Sequence, residues 1–534
     1  MMLIALKDWP VAITALPSVC EQPETALRGL LAHQLGLRAD EILSWRITQK
    51  SIDARRKGHP LLIYSVEAEV GAEPKNGGWQ PVVPPPPAPN WEVPLELPAR
   101  RTAPLHPVVV GTGPAGLCAA WVLARQGLRP LVLDCGGPVE ERERDIAAFF
   151  QTRQLNPASN YLFGEGGAGT YSDGKLYTRI RDVRARAVLE LFAAAGAPEE
   201  ILYLKRPHIG SDILPCMVGN IRRRIETLGG VFRWHAEVTD IAVENQVCRG
   251  VVLRSGERIA APAVIMGFGH SARPLLNNLR RAGVAHELKG FQTGCRIEHP
   301  QVLIDRNQYG LTARPACLGA AEYNLVSRVA ADGGVPGVST FCMCPGGEIV
   351  PATAVPGRLS TNGMSRYRRD GEFADSCLIM TWGPEAFANP EEAFALLDDL
   401  ETRAFQAGGG DYTAPAQDAA AFLRGELRLS ERGGSYRLGM KAARLDEMLP
   451  PAMTMALQTA LRQFDRQCRG FVAEGRLVGV ETHVSSPVRF LRSGGGLGSS
   501  LPGLYIVGEG AGYAGGIISA AVDGWRAAEA YLGV

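Results

Sequence analysis

Two kinds of hydrophobic pattern divide the chain. In residues 1–80 an apolar stretch, Leu3–Leu6, is followed by apolar residues at helical spacing from Pro23 to about Leu35, with Gly36 as the stop. Two strand-like runs come next, Ile42–Thr48 and Leu61–Val70, the second partly alternating. This predicts a small α+β domain. From about residue 105 the pattern changes. Short apolar runs at Val108–Val110 and Leu131–Leu133 flank a helical segment carrying Leu117, Ala120, Val122, Leu123 and Ala124 as apolar positions. Near the end, the run Leu504–Val507 precedes a helix with Ile517, Ile518, Ala521, Trp525 and Ala528 on its apolar face. Strands alternating with helices and glycine-rich turns predict α/β architecture with a parallel sheet. Residues 231–273 read as a parallel strand, a β-meander and a return strand. Between the two regimes, eight prolines fall within residues 81–100. They predict an extended linker over 81–104, because proline locks φ and donates no backbone hydrogen bond.

Composition narrows the classes. The 534 residues carry 56 Lys+Arg against 55 Asp+Glu, a net charge of +1, with 46% hydrophobic and 21% charged residues. That excludes a strongly basic nucleic-acid binder and a disordered chain. No apolar run is long enough to span a bilayer, and the opening MMLIALKDWP makes a poor signal peptide because Lys7 and Pro10 interrupt it. The 11 cysteines are scattered and contain no CxxC pair. Free thiols in a reducing cytoplasm are the expectation, with no metal site.

The strand at Val108–Val110 runs into Gly111, Gly113 and Gly116, a GxGxxG turn. Gly111 permits the tight turn, Gly113 lets a pyrophosphate approach the backbone, and Gly116 allows close helix packing. Pro114 and Ala115 open the helix, whose free N–H groups favour phosphate. Asp134 ends the next strand, 18 residues past Gly116. A carboxylate there can accept both ribose hydroxyls of an adenosine and repels a 2′-phosphate. The C-terminal unit repeats the strand–turn–helix plan with Gly508, Glu509, Gly516 and Ile517. One elongated ligand gripped by both units, with Glu509 on a ribityl chain and the last helix dipole at the pyrimidine edge of an isoalloxazine, points to FAD, held non-covalently.

The pair resembles the glutathione-reductase-like FAD fold. NYLFGEGGAGTYSDGKLYTRI (160–180), GFGHSAR (267–273), GCRIEHPQVLID (294–305), FCMCPGGEIVPA (341–352), TNGMSRYRRDGEFA (361–374), ETHVSSPVR (481–489) and GEGAGYAGGIISAAVDG (508–524) resemble a bacterial family of FAD-dependent dehydrogenases over nearly the whole chain. The resemblance implies an α/β fold: a Rossmann FAD-binding domain in 105–290, with an insertion around 136–213, completed by 500–534. A substrate domain over 291–499 is interleaved with it. It also implies that the backbone near Val238 lies over the adenine and that Gly267 turns beside the pyrophosphate. Thr112, Asp134 and Gly267 stand where that family more often has a larger apolar residue, Glu and Ala.

Further candidates come from the intervening segments. Gly166, Gly167, Ala168, Gly169 and Thr170 form a glycine-rich loop suited to a flat ring or phosphate. Lys175 and Arg179 follow it and can face the flavin or an anionic substrate. If GCRIEHP is extended, Arg296 lies on one face and His299 on the other; Arg296 is a substrate-binding candidate and His299 a proton donor. Cys342 is a candidate reactive thiol. A Cys342–Cys344 disulfide is disfavoured in a regular strand, and packing cysteines are the plainer reading. Tyr436 is a further substrate contact. The expected function is an FAD-dependent dehydrogenase or reductase acting on a small molecule. NADH or NADPH as a transient reductant and a protein electron carrier at the N-terminal domain stay open. A flavin monooxygenase is the alternative, weakened by Phe268 in place of the hydroxylase Asp; a non-catalytic or RNA-acting flavoprotein is the third reading.

Overall fold

The computed structural model describes residues 1–16, 24–83, 106–328, 336–493 and 496–533. Pro23 and nearly all of the expected linker lie outside the described residues; Pro81 ends a short edge strand, Trp79–Pro81. The first unit is a four-stranded antiparallel sheet in the order Ile42–Asp53, Leu61–Val70, Met2–Ala12, Trp79–Pro81. Alternation in Leu61–Val70 buries Leu62, Tyr64, Val66, Ala68 and Val70 on one face, where they share a core with Leu27, Leu31 and Leu35 of the helix Glu24–Leu35. The turn after Asp53, which carries Arg55, Arg56 and Lys57, is anchored to the third unit. Lys57 Nζ donates to the Gln308 carbonyl at 2.6 Å and the Gly58 amide to that of Tyr309 at 2.8 Å. Both acceptors end the helix Gln301–Tyr309, whose last carbonyls need donors and favour a cation.

A five-stranded parallel sheet runs Leu504–Ile506, Val264–Met266, Val108–Val110, Leu131–Leu133, Val231–Arg233. The chain's last strand therefore lies two places from the first strand of the motif. A three-stranded antiparallel meander, Val238–Glu244, Val247–Leu253 and Arg258–Ala260, precedes the return strand as expected. The helices Pro114–Arg125 and Ile517–Leu532 pack together across the sheet, joining Leu117, Trp121, Trp525 and Ala528 in one core. Their contact is backbone against backbone: a Cβ on Gly524 would sit 1.9 Å from the Ala115 carbonyl oxygen, and one on Gly116 1.9 Å from that of Gly111.

The third unit is a seven-stranded sheet in the order Thr361–Ser365, Val338–Pro351, Phe373–Trp382, Phe291–Pro300, Arg476–Glu481, Ala414–Asp418, Met440–Ala442. Only the last pair is parallel. Phe291–Pro300 is central, buried from Thr293 through His299 on both faces. Among the described residues no helix is long and apolar enough to cross a membrane.

The helix contact yields a direct test. Gly524→Val should destabilise the protein by at least about 1–3 kcal/mol, the usual cost of overpacking, seen as a lower urea midpoint. Gly29→Ala, in open space on the N-terminal helix, should instead add roughly 0.5–1 kcal/mol.

Candidate functional site

The loops that leave the parallel sheet at its C-terminal edge face the seven-stranded sheet across a cavity of about 1230 Å³. Single-ligand pockets run to roughly 300–1,000 Å³, so this one has room for a large cofactor and a second molecule. Its walls come from the places where a doubly wound sheet puts ligands: Gly111–Ala115 after the first strand, Asp134 after the second, Gly267–Ala272 after the return strand, and Val507–Glu509 after the last.

The first turn is tightly built. The Gly111 amide donates to the Leu133 carbonyl at 2.7 Å, and a Cβ there would lie 2.6 Å from the Gly267 carbonyl oxygen. Gly113 is the contrast. A Cβ on it would meet only the Gly267 oxygen at 3.9 Å, so this position opens on the cavity at the start of the helix Pro114–Arg125. Asp134 is in the wall, but its carboxylate is already engaged. Oδ2 accepts from the Thr112 amide at 2.9 Å and hydroxyl at 2.5 Å, and Oδ1 from the Gly136 amide at 2.9 Å. It ties the turn together and keeps fewer free lone pairs for a ribose than the sequence suggested. Thr112 and Asp134, two of the three positions that depart from the resembling family, are hydrogen-bond partners.

Behind the glycine-rich loop lies Arg142, fully buried on the helix Val139–Thr152. Its guanidinium donates to the carbonyls of Asn160 at 2.8 Å, Glu165 at 2.7 Å and Gly167 at 2.9 Å. Burial lowers its pKa to about 10, so it stays charged at neutral pH. Glu165 accepts from the Val139 amide at 2.8 Å and from Arg222 Nε at 2.8 Å. The loop is thus held from behind, presenting Gly167, Ala168 and Gly169 to the cavity. Gly116, Gly166 and Thr170 are not in the wall. Gly116 serves helix packing, and Thr170 Oγ1 caps the Glu165 carbonyl at 3.0 Å inside the loop.

At the C-terminal unit, Gly508, Glu509, Gly516 and Ile517 line the cavity. The Gly508 amide donates to Asp523 Oδ2 at 2.9 Å, which also takes Arg492 at 2.6 Å. Glu509 accepts from the Ser486 amide at 2.9 Å, and burial raises its carboxyl despite Lys289 at 3.9 Å. Val238 and Gly267 are also in the wall.

The side toward the seven-stranded sheet carries Lys175, Arg179, Cys342, Glu481 and His483. Lys175 Nζ is 3.0 Å from Asp173 Oδ2. Burial alone would lower the ammonium's pKa, but Asp173 overrides it and holds the charge. Asp173 is itself clamped by Arg369, whose Nε donates to Oδ1 at 2.9 Å and whose Nη1 reaches Glu322 at 2.6 Å. Arg179 is exposed at the rim. Glu481 is buried with Oε2 2.7 Å from Arg296 Nε; burial outweighs that pairing and pushes its carboxyl up to about 7.

Three expectations are corrected. His299 is fully buried away from the cavity, its Nε2 2.8 Å from the Phe471 carbonyl and its ring 4.2 Å from the Phe471 ring. Burial lowers its pKa to about 4, so it is a neutral core histidine. Arg296 is also fully buried and meets no cavity; it pairs with Asp375 at 3.1 Å and Glu481, and donates to Asn362 Oδ1 and, at 2.9 Å, to the Cys342 carbonyl. Both sit on a central strand covered on each face, so extension exposes neither. Tyr436 is buried with its hydroxyl 2.8 Å from the Tyr412 carbonyl. Sequence reasoning missed Glu481, Arg142 and the Asp173–Arg369 clamp. Glu481 and His483 stood in the ETHVSSPVR segment, but nothing local marks an acid that sheet packing will desolvate.

The glycine cradle open at Gly113, the two facing strand–turn–helix units and the cavity volume suit a dinucleotide, and the comparisons identify the class: an FAD-dependent oxidoreductase with a Rossmann-like FAD-binding fold. Residues 290–484 match the model described as FAD-dependent protein, C-terminal domain-like; residues 109–145 match an NAD(P)-binding Rossmann-like domain and 11–69 a domain of unknown function. A Clostridium beijerinckii protein described as uncharacterized is 42% identical over 429 residues, covering 79% of this chain and 80% of its own. The chain belongs to that family of FAD-dependent proteins. Among solved structures, a geranylgeranyl bacteriochlorophyll reductase-like protein of Thermoplasma acidophilum matches at 13% identity and TM-score 0.34, over 80% of this chain and 77% of its own. A flavin-dependent brominase matches at 13% identity and TM-score 0.36, over 80% and 78%.

Two substitutions separate cradle from scaffold. Gly113→Val should fold normally by circular dichroism yet purify without a flavin absorbance band. Arg296→Met should destabilise the protein by about 3–5 kcal/mol, because it leaves Asp375 and Glu481 buried without their cation; the urea midpoint reads this.

Proposed function

We propose that the chain is an FAD-dependent dehydrogenase of a small-molecule substrate, in which Glu481 takes the substrate's proton. FAD supplies two-electron acceptance at its flavin when bound. On this reading the pyrophosphate lies against Gly111, Gly113, Pro114, Ala115 and the helix N-terminus, and the adenosine end against Asp134 and Val238. Gly167–Gly169, Gly267, Gly508, Glu509, Gly516 and Ile517 hold the rest. The cavity space beyond, toward the seven-stranded sheet, takes the substrate, with Arg179 at its mouth.

The observation that carries the reading is Glu481: a buried carboxyl in the cavity wall, tuned to about 7, in a cavity that also holds a lysine kept charged by Asp173. A dehydrogenation removes a proton and a hydride equivalent. A base poised near neutral pH suits the first task. Lys175 supplies a fixed positive charge for an anion developing on the substrate. The groups that act on Glu481 include Arg296 and Cys295 on its neighbouring strand, Asp375 and Cys377 on the strand beyond, and Cys342 on the next.

An anaerobic titration of the flavin band tests this. Oxidisable metabolites should bleach it, and the bleaching rate should rise with pH through about 7, because only deprotonated Glu481 accepts a proton. Glu481→Gln should retain the flavin and lose that step. Bleaching by NADH or NADPH alone would instead mark a nicotinamide-fed reductase, and substrate-dependent oxygen consumption a monooxygenase.

A further inference from the structure

Cys342 and Cys344 both lie on the strand Val338–Pro351, with Met343 between them. In a regular strand residues i and i+2 are roughly 6.6–6.8 Å apart, the far edge of disulfide reach. This strand is not regular. Its register against Phe373–Trp382 shifts between Phe341 and Cys344 and again before Gly347. Cys342 itself takes φ +44°, the left-handed region that a non-glycine residue seldom enters. The kink turns Cys344 back on its neighbour, so that Cys344 Sγ donates to the Cys342 carbonyl at 3.3 Å. Arg296 holds the same carbonyl at 2.9 Å. Lys175 Nζ lies 3.9 Å from Cys344 Sγ. Cys342 is in the cavity wall beside Lys175 and Glu481; Cys344 is fully buried behind it.

Two packing cysteines need no left-handed kink, and Lys175 and Arg296 reach these cysteines in addition to pairing with Asp173, Asp375 and Glu481. The kink and the cations match what a thiol couple requires: one sulfur exposed to a ligand, a second within reach, and positive charge to hold a thiolate.

We propose that Cys342 and Cys344 form a two-electron thiol–disulfide couple opening on the cavity, with Cys342 the attacking thiolate and Cys344 the resolving thiol. On oxidation the Cys342 thiolate and Cys344 thiol form one S–S bond. The two electrons and the Cys344 proton pass to FAD, the acceptor proposed for this cavity, leaving it two-electron reduced. The reverse step reopens the disulfide. The proposal rests on the preceding section only in that FAD occupies the cavity; it does not depend on Glu481 or on the substrate. The Cys344 side chain beside it, with the positive charges of Lys175 and Arg296, holds the Cys342 thiol well below its ordinary pKa despite burial, while the Cys342 side chain and burial raise that of Cys344. The two partners are thereby separated into nucleophile and proton carrier.

The test uses the wild-type holoenzyme. Equilibrated anaerobically across a series of dithiothreitol redox buffers and then alkylated with N-ethylmaleimide under denaturing conditions, it should lose two adducts together in one two-electron transition. Peptide mass mapping should place the new disulfide at Cys342 and Cys344. In the native holoenzyme at pH 6, iodoacetamide should modify Cys342 severalfold faster than in Cys344→Ala, which lacks the neighbouring thiol that favours the Cys342 thiolate; an equal rate overturns the assignment of Cys342 as the attacking thiolate. Continued separate alkylation of both cysteines in the most oxidising buffer, or a disulfide to any other cysteine, overturns the proposal. The adduct count and the peptide map stand without any variant, and flavin bleaching by substrate is scored separately.

Discussion

The approach of the first and last helices is the contact on which the rest depends. Gly524 lies against the Ala115 carbonyl and Gly116 against that of Gly111, so no side chain separates the two helices or the turn beneath them. Because these are backbone contacts, the geometry of the glycine turn at 111–116 is set by a residue near the end of the chain. The same contact brings Gly508–Glu509 level with Gly113 at one edge of the sheet.

Three buried arginines then organise the outer walls. Arg142 gathers loop carbonyls, Arg369 clamps Asp173 and Glu322, and Arg296 spans Asp375 and Glu481. Each cation costs desolvation that is offset only by close, multiple partners. The consequence is functional as well as structural. The field that keeps Lys175 charged and the burial that brings Glu481 close to neutrality arise from the same dense packing of ions.

The strand that carries Cys342 shows how a local irregularity changes chemistry. A straight strand would have placed Cys342 and Cys344 side by side on one face, with their sulfurs too far apart for ready bonding. The register shifts and the left-handed residue bring Cys344 over the Cys342 backbone, while Arg296 pins the kink from beneath. Cys377, fully buried two strands from Glu481, lies in regular register against Phe291–Pro300 and has no such kink.

What the sequence determined by itself is local and repetitive: the small α+β unit, the two strand–turn–helix units with their glycines, the meander, and the cavity-lining residues within those turns. These follow from period, turn chemistry and spacing, which neighbouring residues impose on one another. The tertiary structure alone decided which polar residues reach the cavity. GCRIEHP was correctly extended, but extension says only that Arg296 and His299 face opposite sides; that both sides are covered depends on strands drawn from residues 373–382 and 476–481. Asp134 was correctly placed at its strand end, yet its commitment to Thr112 and Gly136 depended on how the turn closed. Glu481 carries no local mark at all, because desolvation is a property of everything packed around a group and not of the residues beside it in the chain.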